Sequence, residues 1–188
     1  MMLQQETTQE QPTYLQENWT SGPLTQIVQR LIRDHRRWRT DHLPSIDHLF
    51  DLAQDLPQPR QPVWIAPLRH GFYRLRVEME GHMCREENVL FPAIVDRERA
   101  AATNSPVPRP AFGSLRNPIS MMEHEHQTEQ QRWADLRAAS QGYSLPDDAA
   151  PCLRALVERL EVLEKAVFAH SRIENHVLFE RAVMMECK

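Results

Sequence analysis

Apolar residues recur every three or four positions along four stretches of the chain, with polar residues between them. This spacing places the apolar side chains on one face of a helix. Four amphipathic helices joined by loops predict an all-α protein, an antiparallel up-down four-helix bundle. The apolar stripes run from Leu24 to Phe50, from Leu68 to Ile94, from Ile119 to Leu136 and from Leu153 to Leu178.

Prolines mark where these helices begin and end. The segments DLPQPRQPVWIAP and NSPVPRPAFGSLRNP are too rich in proline to be helical and are predicted to be loops. Pro44 falls inside the first stripe, so a kink or a short break is expected there. Residues 1–22 are rich in Gln, Glu and Thr and are predicted to form a flexible polar leader. Residues 23–188 then form the bundle.

Composition excludes several classes of function. The net charge of −4 lacks the basic excess typical of nucleic-acid binding. No apolar run approaches the roughly 20 residues of a membrane span, and the N-terminal residues lack the apolar segment of a secretory signal. The cysteines form no C-x-x-C pair, which argues against disulfides and favours a cytoplasmic location. They are Cys84, Cys152 and Cys187.

Each predicted helix carries a histidine where its stripe requires a core residue. The second and fourth helices add a glutamate one turn later, on the same face. A buried carboxylate without a partner costs several kcal/mol, so six such groups in one core indicate a bound cation. These candidate metal ligands are His35, His82, Glu86, His126, His170 and Glu174.

The His-x-x-x-Glu pair occurs in two copies, HMCREENVLF and HSRIENHVLF. The repeat predicts two halves related by an approximate two-fold axis. We expect one half, His35 with His82 and Glu86, to bind one ion, and the other half to bind a second. Both glutamates would bridge the ions. Imidazole and carboxylate without thiolate suit iron, manganese or zinc, and two bridging carboxylates favour two iron ions with an oxo or hydroxo bridge.

Two further carboxylates lie close to these ligands along the chain. Glu78 lies one turn before His82, and Glu125 directly precedes His126, so both are candidate catalytic residues that handle protons. A solvated glutamate is the alternative for each. A plain helical interaction domain without a metal also remains open. The other histidines are expected on the surface or at helix ends: His42, His48, His70, His124 and His176.

Three segments resemble the hemerythrin-like (HHE cation-binding) domain, most closely that of the repair-of-iron-centres proteins. HMCREENVLFP, MMEHEH and HSRIENHVLFERA match the family patterns H-x-x-x-E-E-x-x-L-F-P, M-x-x-E-H and H-x-x-x-E-N-x-x-L-F-x-R-A. The resemblance covers residues 23–186. It implies a non-haem di-iron site at the same six ligands, with Glu78 and Glu125 at the family's supporting carboxylate positions.

The chain departs from this family in two respects. Many members of the repair family carry an N-terminal domain with paired cysteines, and no cysteine precedes residue 23 here. Oxygen-carrying hemerythrins use a fifth histidine, but the residues one turn either side of His126 are Met122 and Gln130. The missing histidine counts against stable reversible oxygen binding.

The resemblance implies a protein of the nitrosative and oxidative stress response, acting in iron–sulfur centre repair or in nitric oxide and oxygen chemistry. With four histidines, each iron keeps an open position for a small diatomic ligand. An electron donor and iron–sulfur client proteins are the expected partners, and reduction of nitric oxide is one candidate activity. The alternative is a module that binds or senses oxygen or iron without turnover.

Overall fold

The computed structural model describes residues 21–58, 60–106 and 110–186, and these residues form helices and loops without a strand. The predicted leader, residues 1–22, lies outside the described residues except for its last two. The helical segments are α1 (Leu24–Arg37), π1 (Trp38–His42), α2 (Leu43–Gln54), α3 (Ile65–Arg85), π2 (Glu86–Leu90), α4 (Phe91–Thr103), α5 (Arg116–Ala139), α6 (Pro151–Ile173), π3 (Glu174–Phe179) and α7 (Glu180–Glu186).

These segments join end to end into four long helices, residues 24–54, 65–103, 116–139 and 151–186. The long helices form an antiparallel up-down four-helix bundle, which confirms the prediction from the apolar stripes. In the bundle α3 packs along α5, α2 along α6, and α1 along α4. None of the described helices is both long and apolar enough to cross a bilayer.

Wide π turns, which the sequence pattern did not predict, interrupt three of the four long helices. The helix does not break at Pro44 as expected, because Pro44 is the second residue of α2 and lies just past the end of π1. Pro92 has the same place in α4, after π2. A π turn already interrupts the regular hydrogen-bond ladder, so a residue without an N–H group fits after it.

The apolar core divides into two clusters, one toward each end of the bundle. Along the first long helix, Leu31 belongs to one cluster and Trp38 to the other, with His35 between them. Along the fourth, Val167 and Leu178 likewise belong to different clusters. The predicted ligands therefore lie in a polar layer between two apolar layers, shielded from water on both sides.

Candidate metal centre

Six side chains from all four long helices meet in this polar layer. α1, α3, α5 and α6 each supply one histidine, and the first residues of π2 and π3 supply the two glutamates. All are buried except His82, whose side chain keeps 13% of its surface exposed. They are the six predicted ligands: His35, His82, Glu86, His126, His170 and Glu174.

The donor atoms form two groups that share both glutamates. One group contains His35 and His170, the other His82 and His126, and within each group the donor atoms lie within 4.8 Å of one another. The predicted pairing of His35 with His82 is therefore wrong, because each group takes one histidine from each half of the repeat. The reason lies in packing, since α3 lies along α5 and α2 along α6.

A neighbouring side chain lies beside Nδ1 of each of the four imidazole rings. Those beside His35, His82 and His126 form hydrogen bonds, whereas Asp34 makes only a longer ionic contact with His170. Such a partner fixes the tautomer and the orientation of a metal-binding histidine. It also leaves the Nε2 atom free to act as the ligand. The distances from Nδ1 are 2.9 Å for His35 to Glu87, 2.7 Å for His82 to Glu125, 2.9 Å for His126 to Asn175 and 3.7 Å for His170 to Asp34.

These four partners follow the internal repeat. Glu87 and Asn175 occupy the same position in the two copies, one residue after the buried glutamate. Asp34 and Glu125 each directly precede a histidine of the site. The sequence pattern singled out only Glu125. The other three could have been found from their equivalent places in the repeat.

The Nε2 atoms face one another in pairs. His35 Nε2 lies 3.0 Å from His170 Nε2, and His82 Nε2 lies 3.1 Å from His126 Nε2. A neutral imidazole donates from one nitrogen only, so a ring that donates from Nδ1 directs a lone pair from Nε2. His82 and His126 are both held at Nδ1, so their two lone pairs face each other and repel unless a positive charge lies beside them. The geometry is that of ligands prepared for a cation.

Glu86 and Glu174 show the same need for positive charge. Both are 0% exposed, and none of their four carboxylate oxygens has a hydrogen-bond partner. The imidazole Nε2 atoms approach these oxygens to between 3.1 and 3.5 Å without hydrogen-bonding geometry. An ionised carboxylate buried in this way needs a cation beside it. Four imidazoles and two carboxylates fit iron, manganese or zinc.

The histidine pKa values reflect the same electrostatic demand. Burial alone lowers the pKa of His82, but the charge of Glu86 and the hydrogen bond to Glu125 outweigh it and raise the pKa to about 11. Burial also lowers the pKa of His170, but the charge of Glu174 and the contact with Asp34 outweigh burial and raise the pKa to about 10. Protons and metal ions therefore compete for the same imidazoles.

Comparison with known proteins agrees with this donor set. Residues 26–182 match the family described as Hemerythrin HHE cation binding domain. The chain belongs to this family. The predicted resemblance to hemerythrin-like domains is thereby confirmed, and the two donor groups are compatible with metal binding.

Several curated relatives of this hemerythrin HHE domain are named "Iron-sulfur cluster repair protein YtfE". The protein from Edwardsiella ictaluri is 28% identical over 168 residues, which cover 88% of this chain and 69% of the relative. The protein from Musicola paradisiaca is 26% identical over 175 residues, covering 91% and 71%. That from Escherichia coli O1:K1 is 28% identical over 179 residues, covering 94% and 73%.

The two predicted catalytic carboxylates occupy different surroundings in the hemerythrin HHE domain. Glu125 accepts hydrogen bonds from His82 and from Arg85, the latter at 2.7 Å. Burial raises the pKa of Glu125, but these two partners outweigh burial and lower it to about 2. Glu78 instead pairs with Arg132 at 3.1 Å, and no described contact joins it to the six donors. Glu125 thus acts on His82, whereas Glu78 lies further out.

Two cavities adjoin the layer of six donors in this HHE domain. The inner one, about 10 Å³, is lined by the four histidines and by Trp38, Met79 and Glu129 among others. This volume is about that needed by one water molecule. The outer pocket, about 260 Å³, contains Glu78, Arg85 and Glu125. Met79, His82 and Glu129 line both cavities.

Glu129 is a functional candidate that the sequence pattern missed. It lies three residues after His126 and reads as part of a polar face, yet it is half-buried beside the site. Burial raises the pKa of Glu129 to about 7, although the neighbouring histidines lower it in part.

His42 corrects another expectation from the sequence. Four of the five remaining histidines are exposed, but His42 is 4% exposed and its Nδ1 has no hydrogen-bond partner. Because the helix continues through Pro44, His42 stays on the inward face two turns after His35. Burial lowers the pKa of His42. It belongs to neither donor group.

Proposed function

We propose that this protein is a non-haem di-iron protein of the nitrosative and oxidative stress response that acts in the repair of iron–sulfur centres. The observation that carries the proposal is the pair Glu86 and Glu174, two buried carboxylates with unpartnered oxygens, shared by two groups of imidazoles. The names of the relatives, which refer to iron–sulfur cluster repair, support the assignment to this role.

The six donors would hold two iron ions, with Glu86 and Glu174 between them. When bound, the irons supply redox chemistry and positions for a small diatomic ligand such as nitric oxide or oxygen. The protein holds the imidazoles in place through their Nδ1 partners and excludes bulk water with its two apolar clusters. The inner cavity, lined by the four histidines, lies where these ions would be held.

Glu125 has an orienting role in this proposal. With its pKa lowered to about 2, its carboxylate is charged at neutral pH and keeps the proton of His82 on Nδ1. Glu78, at the rim of the outer pocket, is the candidate for passing protons between solvent and that pocket. An external electron donor and an iron–sulfur client protein are the proposed partners.

Metal analysis with Mössbauer spectroscopy tests the di-iron assignment. We expect about two irons per chain in the wild-type protein. Glu86→Ala should lose at least one of them, because each donor group then keeps a single carboxylate. Glu80→Ala, on the same helix and partly exposed, should retain both. Zinc as the sole metal, or two irons retained in Glu86→Ala, would contradict the assignment.

A module that binds oxygen or iron without turnover is the second candidate function. The two groups of donors support it as well, because a site that holds metal ions need not turn over a substrate. Anaerobic mixing of the diferrous protein with nitric oxide and with oxygen separates the two candidates. Consumption of nitric oxide over many cycles with an added reductant supports an enzyme. A long-lived reversible adduct supports the binding module.

A further inference from the structure

We infer that the two donor groups of the metal centre differ in access. The group that contains His82 and His126 opens to the outer pocket past Glu129. The group that contains His35 and His170 is sealed by Trp38. Divalent cations and small ligands would therefore enter and leave on the His82 side. This inference rests on the proposed two-metal function and adds a direction of exchange to it.

The internal repeat provides the first support. Trp38 and Glu129 occupy equivalent positions, each three residues after the histidine of the first and third long helices. Both side chains line the inner cavity. The two-fold relation therefore places an indole on one side of the centre and a carboxylate on the other.

Trp38 covers the donor group that contains His35 and His170. The indole is 5% exposed, and its ring centroid lies 4.7 Å from that of His170 and 5.8 Å from that of His35. It also belongs to one of the two apolar clusters, packed with residues such as Val167. A ligand could reach this group only by displacing a packed aromatic ring from the core.

Glu129 leaves the donor group that contains His82 and His126 open to the outer pocket. Of the three residues that line both cavities, Met79 is buried and His82 is held by Glu86 and Glu125. Glu129 forms no hydrogen bond or ion pair with the described part of the chain, and it is partly exposed where it lines the outer pocket. Its carboxylate can therefore turn without breaking a protein contact. The route from the outer pocket to the centre passes this side chain.

The side chains that contact the Nδ1 atoms also differ between the two donor groups. His35 and His82, one in each group, are hydrogen-bonded at Nδ1 to the carboxylates Glu87 and Glu125, and the carboxylate of Asp34 lies 3.7 Å from Nδ1 of His170. His126 is backed by the neutral amide of Asn175. A carboxylate at Nδ1 makes an imidazole a more basic ligand than an amide does, and such partners change metal affinity by about 10- to 100-fold. The neutral partner of His126 thus makes one ligand of the His82 side weaker, in the same direction as the difference in access.

Removal of cobalt by a chelator tests the inference without depending on activity or on iron. Protein loaded with two equivalents of Co²⁺ should lose metal in two phases of equal amplitude. Glu129→Leu, which places an apolar side chain where the symmetry-related position has Trp38, should slow the fast phase about tenfold and leave the slow phase unchanged. Gln130→Leu, exposed on the same helix, should change neither phase.

Two further variants test each side separately. Asn175→Asp should also slow the fast phase by about tenfold, because it adds a carboxylate behind His126. Trp38→Phe should accelerate only the slow phase, since the smaller ring keeps the core folded but covers less of His170. A single phase, binding of one Co²⁺ only, or an effect of Glu129→Leu confined to the slow phase would overturn the inference. Failure of the di-iron function would instead appear as the absence of iron in the native protein.

Discussion

A charged side chain that is buried or partly buried needs hydrogen-bond or ion-pair partners, and the described residues supply them at more than one position. At the start of α1, Pro23 has no side chain that could cap the helix. Glu98 of α4 takes that role. It accepts hydrogen bonds from the backbone N–H groups of Leu24 and Thr25, and from the Thr25 hydroxyl at 2.6 Å. One carboxylate thus ties two long helices together.

We expect Glu98→Gln to lower the free energy of unfolding by about 1 kcal/mol at pH 7, a typical loss for a helix cap. Burial raises the pKa of Glu98, but the Thr25 and Leu24 bonds outweigh it and lower the pKa below its usual 4.5. The contribution is therefore present above pH 4.5 and lost as the pH falls through the lowered pKa. Urea unfolding of the wild type and the variant should converge in acid.

Asp96→Asn is the matched control for this prediction, because it changes acid to amide on the same helix. Asp96 pairs only with Arg99, at 3.5 Å on the surface. Such pairs contribute roughly 0 to 1 kcal/mol, so the control should unfold close to the wild type at every pH. An equal loss in both variants would mean that net charge, not the cap, is responsible.

Regular helix geometry determines what the sequence could and could not predict about the elements. His82 with Glu86, and His170 with Glu174, were identifiable because a spacing of four residues is periodic within α3 and α6. The π turns π2 and π3 were not identifiable, since they begin at Glu86 and Glu174 and break that periodicity. The pairing of histidines depends on which helices are neighbours, and a single helix pattern carries no information about its neighbours.

Close packing of α3 on α5 gives a prediction at the scale of elements. A Cβ added at Gly71 would lie 2.7 Å from Leu136 Cδ2 in the buried contact between these helices. We expect Gly71→Ala to destabilise the protein by about 1 kcal/mol, because overpacking outweighs the gain in helix propensity. Urea unfolding measures this loss.

Gly81→Ala on the same helix should have the opposite sign. There the added Cβ meets only Arg85 Nη1, at 3.3 Å, and this guanidinium is partly exposed and can move. Helix propensity then favours alanine by about 0.5 to 1 kcal/mol. A gain of stability in both variants would show that α3 and α5 separate readily, contrary to the packing seen at Gly71.

The whole molecule is organised around its polar layer. Each apolar cluster draws residues from all four long helices, and the metal centre between the clusters joins the same four helices by their donors. The stripes and the six donors predicted this arrangement, because polar residues at core positions must meet one another. Glu129 and Trp38 were not predicted, since their role depends on which cavity they line. The metal centre should therefore govern the stability of the whole bundle.

Removal of the metal should make stability depend on pH in a specific direction. In the apoprotein, protonated His82 and His170 replace the cations beside Glu86 and Glu174, with pKa values of about 11 and about 10. Because both pKa values are raised, the protonated histidines contribute their full stabilisation below pH 6.5, the pKa of histidine in the unfolded chain. This stabilisation is lost as the pH rises toward 10 and above. The apoprotein should therefore lose stability between pH 7 and pH 10.

Thermal unfolding of the loaded and metal-free protein at pH 7, 8.5 and 10 measures this effect. The melting temperature of the loaded protein should stay nearly constant, because imidazoles bound to metal do not take up protons. The difference between the two forms should therefore grow as the pH rises. In the apoprotein, Glu174→Gln should flatten the pH dependence, since it removes the charge that raises the pKa of His170 most. A metal-free protein with the same melting temperature at pH 7 and pH 10 would show that protonated histidines do not replace the cations, and that the carboxylates are neutral instead.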